Sequence, residues 1–288
     1  MQQRRIGDVQ VSAIGLGGMP MSIEGRPERE RSIAAVHAAL DAGVTLIDTA
    51  DAYHLYADEV GHNESLIAEA LASYGGDTSH VLVATKGGHL RPGDGSWTLN
   101  GSPEYLKRAT DASLKRLGVE AIGLYQFHRP DPRVPYAESV GAIRDLLDAG
   151  KIRMAGISNA NSSQIRLSQE LLRGRLASVQ NQYSPAYQSS RPELDLCTEL
   201  DIAFLPWSPF GGSSRAGGLG SAFRPFADVA AARGVSPQRV CLAWMLATSP
   251  VVIPIPGSSR PETARDSAAA AELELTPEEM ATLDAAVR

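Results

Sequence analysis

Four side chains capable of proton transfer stand at or just beyond the ends of short apolar runs in this sequence. Asp48 follows the run 44–47 directly, and Tyr53 comes five positions later. Lys86 and His128 each close a later apolar run. Short continuous apolar runs predict buried strands, and the carboxyl ends of barrel strands meet at one rim. We therefore expect these four side chains to converge on a single site.

The four residue types together suit the protonation of a carbonyl oxygen. A tyrosine with an ordinary pKa of about 10 is a slow acid at neutral pH. The ammonium of Lys86 would lower the pKa of Tyr53, and Asp48 would keep that lysine charged and in place. His128 would orient the substrate oxygen or share its proton. Such a set would protonate the oxygen while a hydride reaches the carbon. The four residues do not themselves indicate a hydride donor.

Each of these residues also has a purely structural interpretation. Asp48 would serve as a helix cap, Lys86 as a lysine that extends to the surface, and His128 as a histidine before a proline turn. Tyr53 would be a loop aromatic. Four titratable groups at three successive strand ends favour a site over four separate structural roles. Asp51 is left outside the site, because no other residue requires it.

The elements that would position these residues form a repeated strand–helix pattern. A hairpin around Gly7 and Asp8 is predicted over 4–11. Eight core strands follow, each with at least one helical pattern after it: 12–16, 44–47, 81–85, 121–127, 152–157, 176–179, 202–206 and 251–253. This count predicts an α/β protein, a (β/α)8 TIM barrel with an N-terminal β-hairpin and extra C-terminal helices, as a single domain over 1–288. A doubly wound sheet is disfavoured by the strand count and by the missing G-x-G-x-x-G turn.

Helix ends and loops are also predicted locally. Ser102 is a predicted N-cap with Pro103 at the first helical position, and Gly118 ends that helix. Ser162 or Ser163 is predicted to cap a later helix. Two glycine-rich segments, 87–101 and 211–221, are predicted as loops, and loops of such length usually have a function or are disordered.

Composition excludes several classes of partner. The net charge is −6 without a basic run, so no nucleic-acid partner is expected. No apolar run of about 18 residues or signal core is present, which predicts no membrane association. Cys197 and Cys241 lack metal-binding spacing and are expected to be reduced core thiols of a cytoplasmic enzyme, with no metal site.

A set of seven segments in fixed order carries a more specific signal across nearly the whole chain. They are 47–50 with Tyr53, 84–86, 127–132, 156–159, 179–184, 207–211 and 255–261. In content and order they resemble the aldo-keto reductase superfamily. That resemblance implies a TIM barrel that reduces an aldehyde or ketone to an alcohol with NADPH, NADP(H) being the cofactor.

The resemblance also implies roles for matching positions. Asp48, Tyr53, Lys86 and His128 would be catalytic, with Tyr53 as the general acid. Ser158, Asn159 and Gln180 would hold the nicotinamide carboxamide, and Trp207 would stack on its ring or, alternatively, pack in the core. The full set implied for cofactor binding is Gly18, Met19, Asp48, Ser158, Asn159, Gln180, Trp207, Ser208, Phe210, Gly211, Gly212, Gly257, Ser258 and Arg260.

The adenosine end departs from the family pattern. Ser258 and Arg260 precede a predicted helix, whose N-terminus attracts phosphate, and Arg260 would bind a 2′-phosphate and favour NADPH over NADH. Many members place a lysine where Gly257 stands and a basic residue where Thr263 stands. The alternative is that Arg260 is a solvated surface side chain.

The substrate is expected to be a small carbonyl compound in an open pocket. Met19, Arg129 and Trp97 would join Tyr53 and His128 in its lining, and two segments resemble the pyridoxal-reducing branch. Two other functions stay open: a Schiff-base aldolase or other lyase on the same fold with Lys86 as nucleophile, and a non-catalytic nicotinamide-binding regulatory subunit. A monomer or weak homo-oligomer is expected.

Overall fold

An antiparallel hairpin begins the fold, as predicted. The computed structural model describes residues 1–287, with only the backbone at position 213. Strands β1 (Gln3–Ile6) and β2 (Val9–Ser12) pair around a turn in which Gly7 has a φ of 55°. Ile6 and Val11 are fully buried against residues inside the barrel. The hairpin therefore covers one end of the barrel core.

Seven parallel strands form the curved sheet that follows. In the sheet they neighbour one another in chain order, and the numbering skips only a small separate hairpin, β6 (His89–Leu90) with β7 (Thr98–Leu99). The parallel strands are β3 (Leu16–Gly17), β4 (Leu46–Asp48), β5 (Leu82–Gly87), β8 (Ile122–Phe127), β9 (Ile152–Ser158), β10 (Leu176–Gln180) and β11 (Ala203–Phe204). Most of their residues are buried, as expected for strands covered on both faces.

The segment 251–258 closes the barrel in the position of the eighth strand. On one side, Val252 bridges Phe204 in parallel, and on the other, Gly257 bridges Gly17. Gly15 and Gly17 donate their amides to the carbonyls of Pro254 and Pro256, at 2.9 and 3.0 Å. The two prolines have no amide to donate in return, so this segment does not form a regular strand. The predicted (β/α)8 barrel is confirmed.

Helices surround the sheet, and in residues 1–287 none is long and apolar enough to cross a bilayer. The principal helices are α1 (Arg29–Asp41), α2 (His62–Ser73), α3 (Pro103–Leu117), α4 (Tyr136–Asp148), α5 (Ser162–Leu171), α6 (Arg191–Leu200), α9 (Arg224–Arg233), α10 (Pro237–Thr248), α11 (Pro261–Ala268) and α12 (Pro277–Ala286). A 3₁₀ turn, Ala269–Glu272, continues α11, the helix that was predicted after Arg260.

The helix ends follow the local sequence with one correction. Ser102 accepts a hydrogen bond from the Tyr105 amide, and Gly118 ends α3 with a φ of 66°. The cap of α5 is Asn161, whose side chain accepts from the Gln164 amide in a capping box. The prediction of Ser162 or Ser163 as that cap was wrong, because Asn161 already offers an acceptor one position earlier.

Both predicted loops contain regular structure. In the segment 87–101, β6 (His89–Leu90) and β7 (Thr98–Leu99) pair as an antiparallel hairpin. The segment 211–221 contains the helix α7 (Ser213–Ala216) and the start of α8 (Leu219–Ala222). Glycines set the turns but do not exclude strands or helices on either side of them, so the prediction that these segments are loops was wrong for the residues of these elements.

The two cysteines, Cys197 and Cys241, are buried and unpaired, as predicted for reduced core thiols. Burial raises the pKa of Cys197 to about 12, so its thiol stays protonated. Within the described part of the chain, no group of three or more His, Cys, Asp or Glu side chains is arranged to hold a metal ion.

Candidate active site

Three of the four predicted proton-transfer residues meet at the Lys86 ammonium. Its Nζ donates to Asp48 Oδ1 at 2.5 Å, to the Thr49 carbonyl at 2.9 Å and to the Tyr53 hydroxyl at 3.0 Å. Lys86 is fully buried. β4 and β5 are adjacent parallel strands, so their carboxyl ends place Asp48 and Lys86 side by side. The predicted convergence is confirmed for this trio.

Two glutamines bind the second oxygen of Asp48. Gln180 Nε2 donates to Oδ2 at 2.8 Å, and Gln126 Nε2 donates at 3.3 Å. Gln126 was missed from the sequence, although a polar residue inside the apolar run 122–127 was a usable signal. Gln180 was predicted to bind the nicotinamide carboxamide; it lines the cavity, and its amide nitrogen also supports the Asp48 carboxylate.

The charges of this trio follow from burial and pairing. Burial by itself lowers the pKa of Lys86, but Asp48 and Tyr53 outweigh it, and the pKa of Lys86 is raised. Burial raises the pKa of Tyr53, and Lys86 opposes this shift without cancelling it. The predicted net lowering was therefore wrong, because burial outweighs the ammonium. At neutral pH, Tyr53 holds its proton and Lys86 is an ammonium.

His128 faces Tyr53 across the site. The two rings meet edge to face with centroids 5.8 Å apart, and each residue is 7% exposed. Burial, followed by the charge of Lys86, holds the pKa of His128 well below its usual value. The imidazole is therefore neutral at neutral pH and adds no positive charge to the site.

These residues border a cavity of about 640 Å³ at the carboxyl ends of the strands. Lys86 lies behind the cavity wall, and the hydroxyl of Tyr53 connects it to the opening. The predicted residues found in the lining are Met19, Asp48, Tyr53, Trp97, His128, Arg129, Ser158, Asn159, Gln180, Trp207, Ser208, Phe210, Gly212 and Gly257.

Four predicted cofactor residues lie outside this lining. The amide of Gly18 donates to the Asp48 carbonyl at 2.8 Å, directly behind the cavity. Gly211 lies in the turn before α7, with a φ of 83°. Ser258 is buried against Thr263, and Arg260 is the exposed N-cap residue of α11. Ser258 and Arg260 thus lie just beyond the lining residue Gly257.

Ser158 and Asn159 form a polar cluster at the end of β9. Ser158 Oγ donates to the Gln180 carbonyl at 2.7 Å, and Asn159 Nδ2 donates to the His128 carbonyl at 3.0 Å. Asn159 has a φ of 57° and Ser208 a φ of 49°, a left-handed conformation that few non-glycine residues adopt. Such strain concentrates at functional sites. Both residues were predicted to bind the cofactor.

The β6–β7 hairpin, which carries the predicted lining residue Trp97, forms a wall of the cavity, and only its strand pairing was not predicted. Arg91 donates to the His54 carbonyl at 2.7 Å, forms an ion pair with Glu24 and lies 4.8 Å from the centre of the Trp97 ring. His89 stacks against Trp97 with centroids 4.5 Å apart. His89 and Glu24 are lining residues that were not predicted, since their positions depend on this hairpin.

Asp51 is a buried carboxylate beside the site rather than part of it. Its Oδ2 accepts from the Tyr105 hydroxyl at 2.8 Å, while Oδ1 is buried without a partner. Burial, followed by the negative charge of Glu64, raises the pKa of Asp51 to about 7. A carboxyl with this environment stabilises the fold when protonated.

The Asp51→Asn variant is expected to lose a pH dependence of stability. Between the ordinary pKa of 3.8 and the folded pKa of about 7, the unfolded chain has released the proton that the folded protein retains. Stability of the parent therefore falls as pH rises through this window, by up to about 4 kcal/mol. Urea unfolding at pH 4.5 and 8 should show that the unfolding free energy of the variant, relative to that of the parent, increases as pH rises. Asp8→Asn is the control for an exposed aspartate, and a constant difference between parent and variant would contradict the prediction.

Comparison with known proteins gives matches over almost the whole chain. A family model described as "Aldo/keto reductase family" matches residues 13–288. A 6-dehydroglucose reductase of Novosphingobium aromaticivorans is 34% identical over 88% of this chain and 84% of its own. An NADP(+) aldo-keto reductase named yakc, from Schizosaccharomyces pombe, is 31% identical over 95% of this chain and 87% of its own.

A solved structure agrees in fold. An aldo/keto reductase from Klebsiella pneumoniae in complex with NADP and acetate is 27% identical, with a TM-score of 0.82. The match covers 98% of this chain and 94% of that one. Sequence and fold comparisons thus agree on one family.

Proposed function

We propose, starting from the fact that this chain belongs to the aldo/keto reductase family, that Tyr53 is the general acid of its carbonyl reduction. As a member of that family the chain is an oxidoreductase that reduces an aldehyde or ketone to an alcohol with NADPH. The observation that carries the assignment is the contact of the Tyr53 hydroxyl with the Lys86 ammonium at 3.0 Å, at the edge of the cavity.

The proposed mechanism uses each residue for one task. When bound, NADPH would supply the hydride. Tyr53 donates its proton to the carbonyl oxygen, and Lys86 stabilises the phenolate that remains. Asp48 holds Lys86 charged and aimed at the hydroxyl through the 2.5 Å contact. Neutral His128 orients the carbonyl oxygen beside Tyr53.

The residues at the strand ends fit a nicotinamide cofactor. Ser158 and Asn159 offer polar groups at the cavity wall, and Trp207 lines the cavity with its indole Nε1 buried and unpaired. A buried donor without an acceptor is costly, so a ligand acceptor there would stabilise the site. We assign these residues, with Gln180, to the nicotinamide end, and Ser208, Phe210, Gly211 and Gly212 to the pyrophosphate.

Arg260→Ala is expected to weaken NADPH binding about 10-fold and to change NADH binding little. Arg260 is exposed at the N-cap of α11, where it would form charge-assisted hydrogen bonds with a 2′-phosphate. The measurement is the Kd of each cofactor by fluorescence titration. Arg108→Ala removes an exposed arginine from α3 and is the control. Equal weakening of both cofactors would remove Arg260 from the phosphate site.

The two other functions are less compatible with the site. A Schiff-base nucleophile must be a neutral amine, whereas Asp48 and Tyr53 outweigh burial and raise the pKa of Lys86. A regulatory subunit without turnover has no use for a complete proton-transfer set. Borohydride trapping of a carbonyl compound on Lys86 would instead support the aldolase.

The identity of the substrate is open to direct screening. NADPH oxidation would be followed with 4-nitrobenzaldehyde, 9,10-phenanthrenequinone, pyridoxal and oxidised sugars, the last because one relative is a 6-dehydroglucose reductase. Turnover with any of them supports the proposed reaction, and its absence across aldehydes, ketones and both cofactors would count against it.

We further propose that residues 1–288 form a single domain and that the protein is a monomer or weak homo-oligomer. We also propose a cytoplasmic location, which is in keeping with the two buried free thiols.

A further inference from the structure

Arg129 is a charged residue of the cavity wall that has no acidic partner. Its guanidinium donates to Asn159 Oδ1 at 3.0 Å, and its Nε is buried without an acceptor. Among the described residues 1–287, no aspartate or glutamate forms an ion pair with it. A half-buried guanidinium in this state has lost part of its hydration without a compensating anion.

The other charges at this cavity cancel one another. Asp48 is paired with Lys86, and Glu24 is paired with Arg91. Burial is the main cause that lowers the pKa of both His128 and His89. The pKa of His89 falls to about 4 and that of His128 lies well below its usual value, so both imidazoles are neutral at neutral pH. The cavity therefore holds one uncompensated positive charge, and it is fixed on Arg129.

The surroundings of Arg129 define what could neutralise it. Arg129 follows His128 directly, so its Cα lies about 3.8 Å from that of the proposed carbonyl-orienting residue. His89 and Trp97 supply a flat aromatic wall next to them. A planar carboxylate matches the guanidinium fork and can accept from two of its nitrogens together.

We propose that Arg129 binds an anionic group of the substrate, so that this enzyme prefers carbonyl compounds that also carry a carboxylate. The inference rests on the proposed function, since Tyr53 and His128 hold the carbonyl end. Arg129 sets specificity and leaves proton transfer to Tyr53. Carboxylated benzaldehydes and short oxo-acids, which combine a carbonyl with a carboxylate, represent this substrate class.

The test compares two aldehydes that differ in one charge. The selectivity ratio is kcat/KM for 4-carboxybenzaldehyde divided by kcat/KM for methyl 4-formylbenzoate, both with NADPH. It should exceed 1 in the parent and fall roughly 10- to 100-fold in Arg129→Gln, with a partial fall in Arg129→Lys. Arg153→Gln removes the same charge from an exposed residue of β9, whose amino end lies away from the cavity, and should keep the parental ratio.

A binding measurement separates this inference from the proposed reaction. Benzoate titrated against indole fluorescence should bind the parent roughly 10-fold more tightly than Arg129→Gln, whether or not turnover occurs. Phenyl phosphate in the same titration distinguishes phosphate esters from carboxylates as the preferred anion. An unchanged selectivity ratio together with unchanged benzoate binding would overturn the inference. So would an increase in the KM for NADPH alone, which would place Arg129 on the cofactor side. Failure of the parent to oxidise NADPH with either aldehyde would count against the proposed function only.

Discussion

Tyr53→Phe is expected to lower kcat for carbonyl reduction roughly 10²- to 10⁴-fold, the range typical for loss of a general acid. The change removes one oxygen from a side chain that is 7% exposed, and the ring remains in place against His128. The Kd for NADPH should stay near that of the parent, because the ring and its backbone are retained. Stopped-flow turnover and fluorescence titration with NADPH measure the two quantities separately.

The control for this prediction is Tyr56→Phe. It removes the same hydroxyl three positions further along, from a side chain that is 56% exposed and outside the cavity lining. Turnover of Tyr56→Phe should match the parent. If Tyr53→Phe retained parental turnover, another group would have to protonate the carbonyl oxygen, and the assignment of Tyr53 would be wrong.

Loss of the Lys86 ammonium is expected to reduce both stability and turnover. In Lys86→Met the buried Asp48 carboxylate keeps only its glutamine donors, and breaking a buried ion pair on one side typically costs about 3–5 kcal/mol. Asp48→Asn leaves the opposite charge uncompensated and should cost a similar amount. The double variant carries neither charge, so its loss of unfolding free energy should be smaller than the sum of the single losses.

Urea unfolding of the parent, both single variants and the double variant completes this cycle. Lys107 and Asp145 form the matched control pair, at 2.8 Å, with side chains that are 46% and 45% exposed. An exposed pair of this kind typically contributes about 0.2–1 kcal/mol. Additive losses at Lys86 and Asp48 would mean that the buried pair is not energetically coupled. Turnover should be lost in all three variants of the buried pair, since Tyr53 loses its positioned cation.

The part of the site that could be predicted lies on neighbouring parallel strands. Asp48 and Lys86 end adjacent strands, so the alternation of strands and helices was enough to place them together. His128 ends the next strand of the same sheet. The residue that ends each strand, and the order of the strands, can be read from the sequence alone. The barrel then brings these strand ends together at one rim.

The parts that could not be predicted depend on distant contacts. His89 contacts the predicted lining residue Trp97 because two short strands pair across the segment 87–101, and this pairing was not predicted. The contact of Gln126 with Asp48 joins residues 78 positions apart. The sign of the pKa shift of Tyr53 depends on how completely the folded chain excludes water, and sequence spacing carries no measure of that.

The boundary at which the barrel closes, between β3 and the segment 251–258, should open more easily than the rest of the sheet. Across the boundary between β3 and the segment 251–258, Pro254 and Pro256 accept hydrogen bonds but cannot donate them. Fewer bonds must break there than between two regular strands, so this boundary should separate at a lower free energy than the rest of the sheet. Gly17 and Gly257 face each other across it and both line the cavity. A molecule bound against both glycines would bridge the boundary, and its binding energy would oppose separation of the two edges.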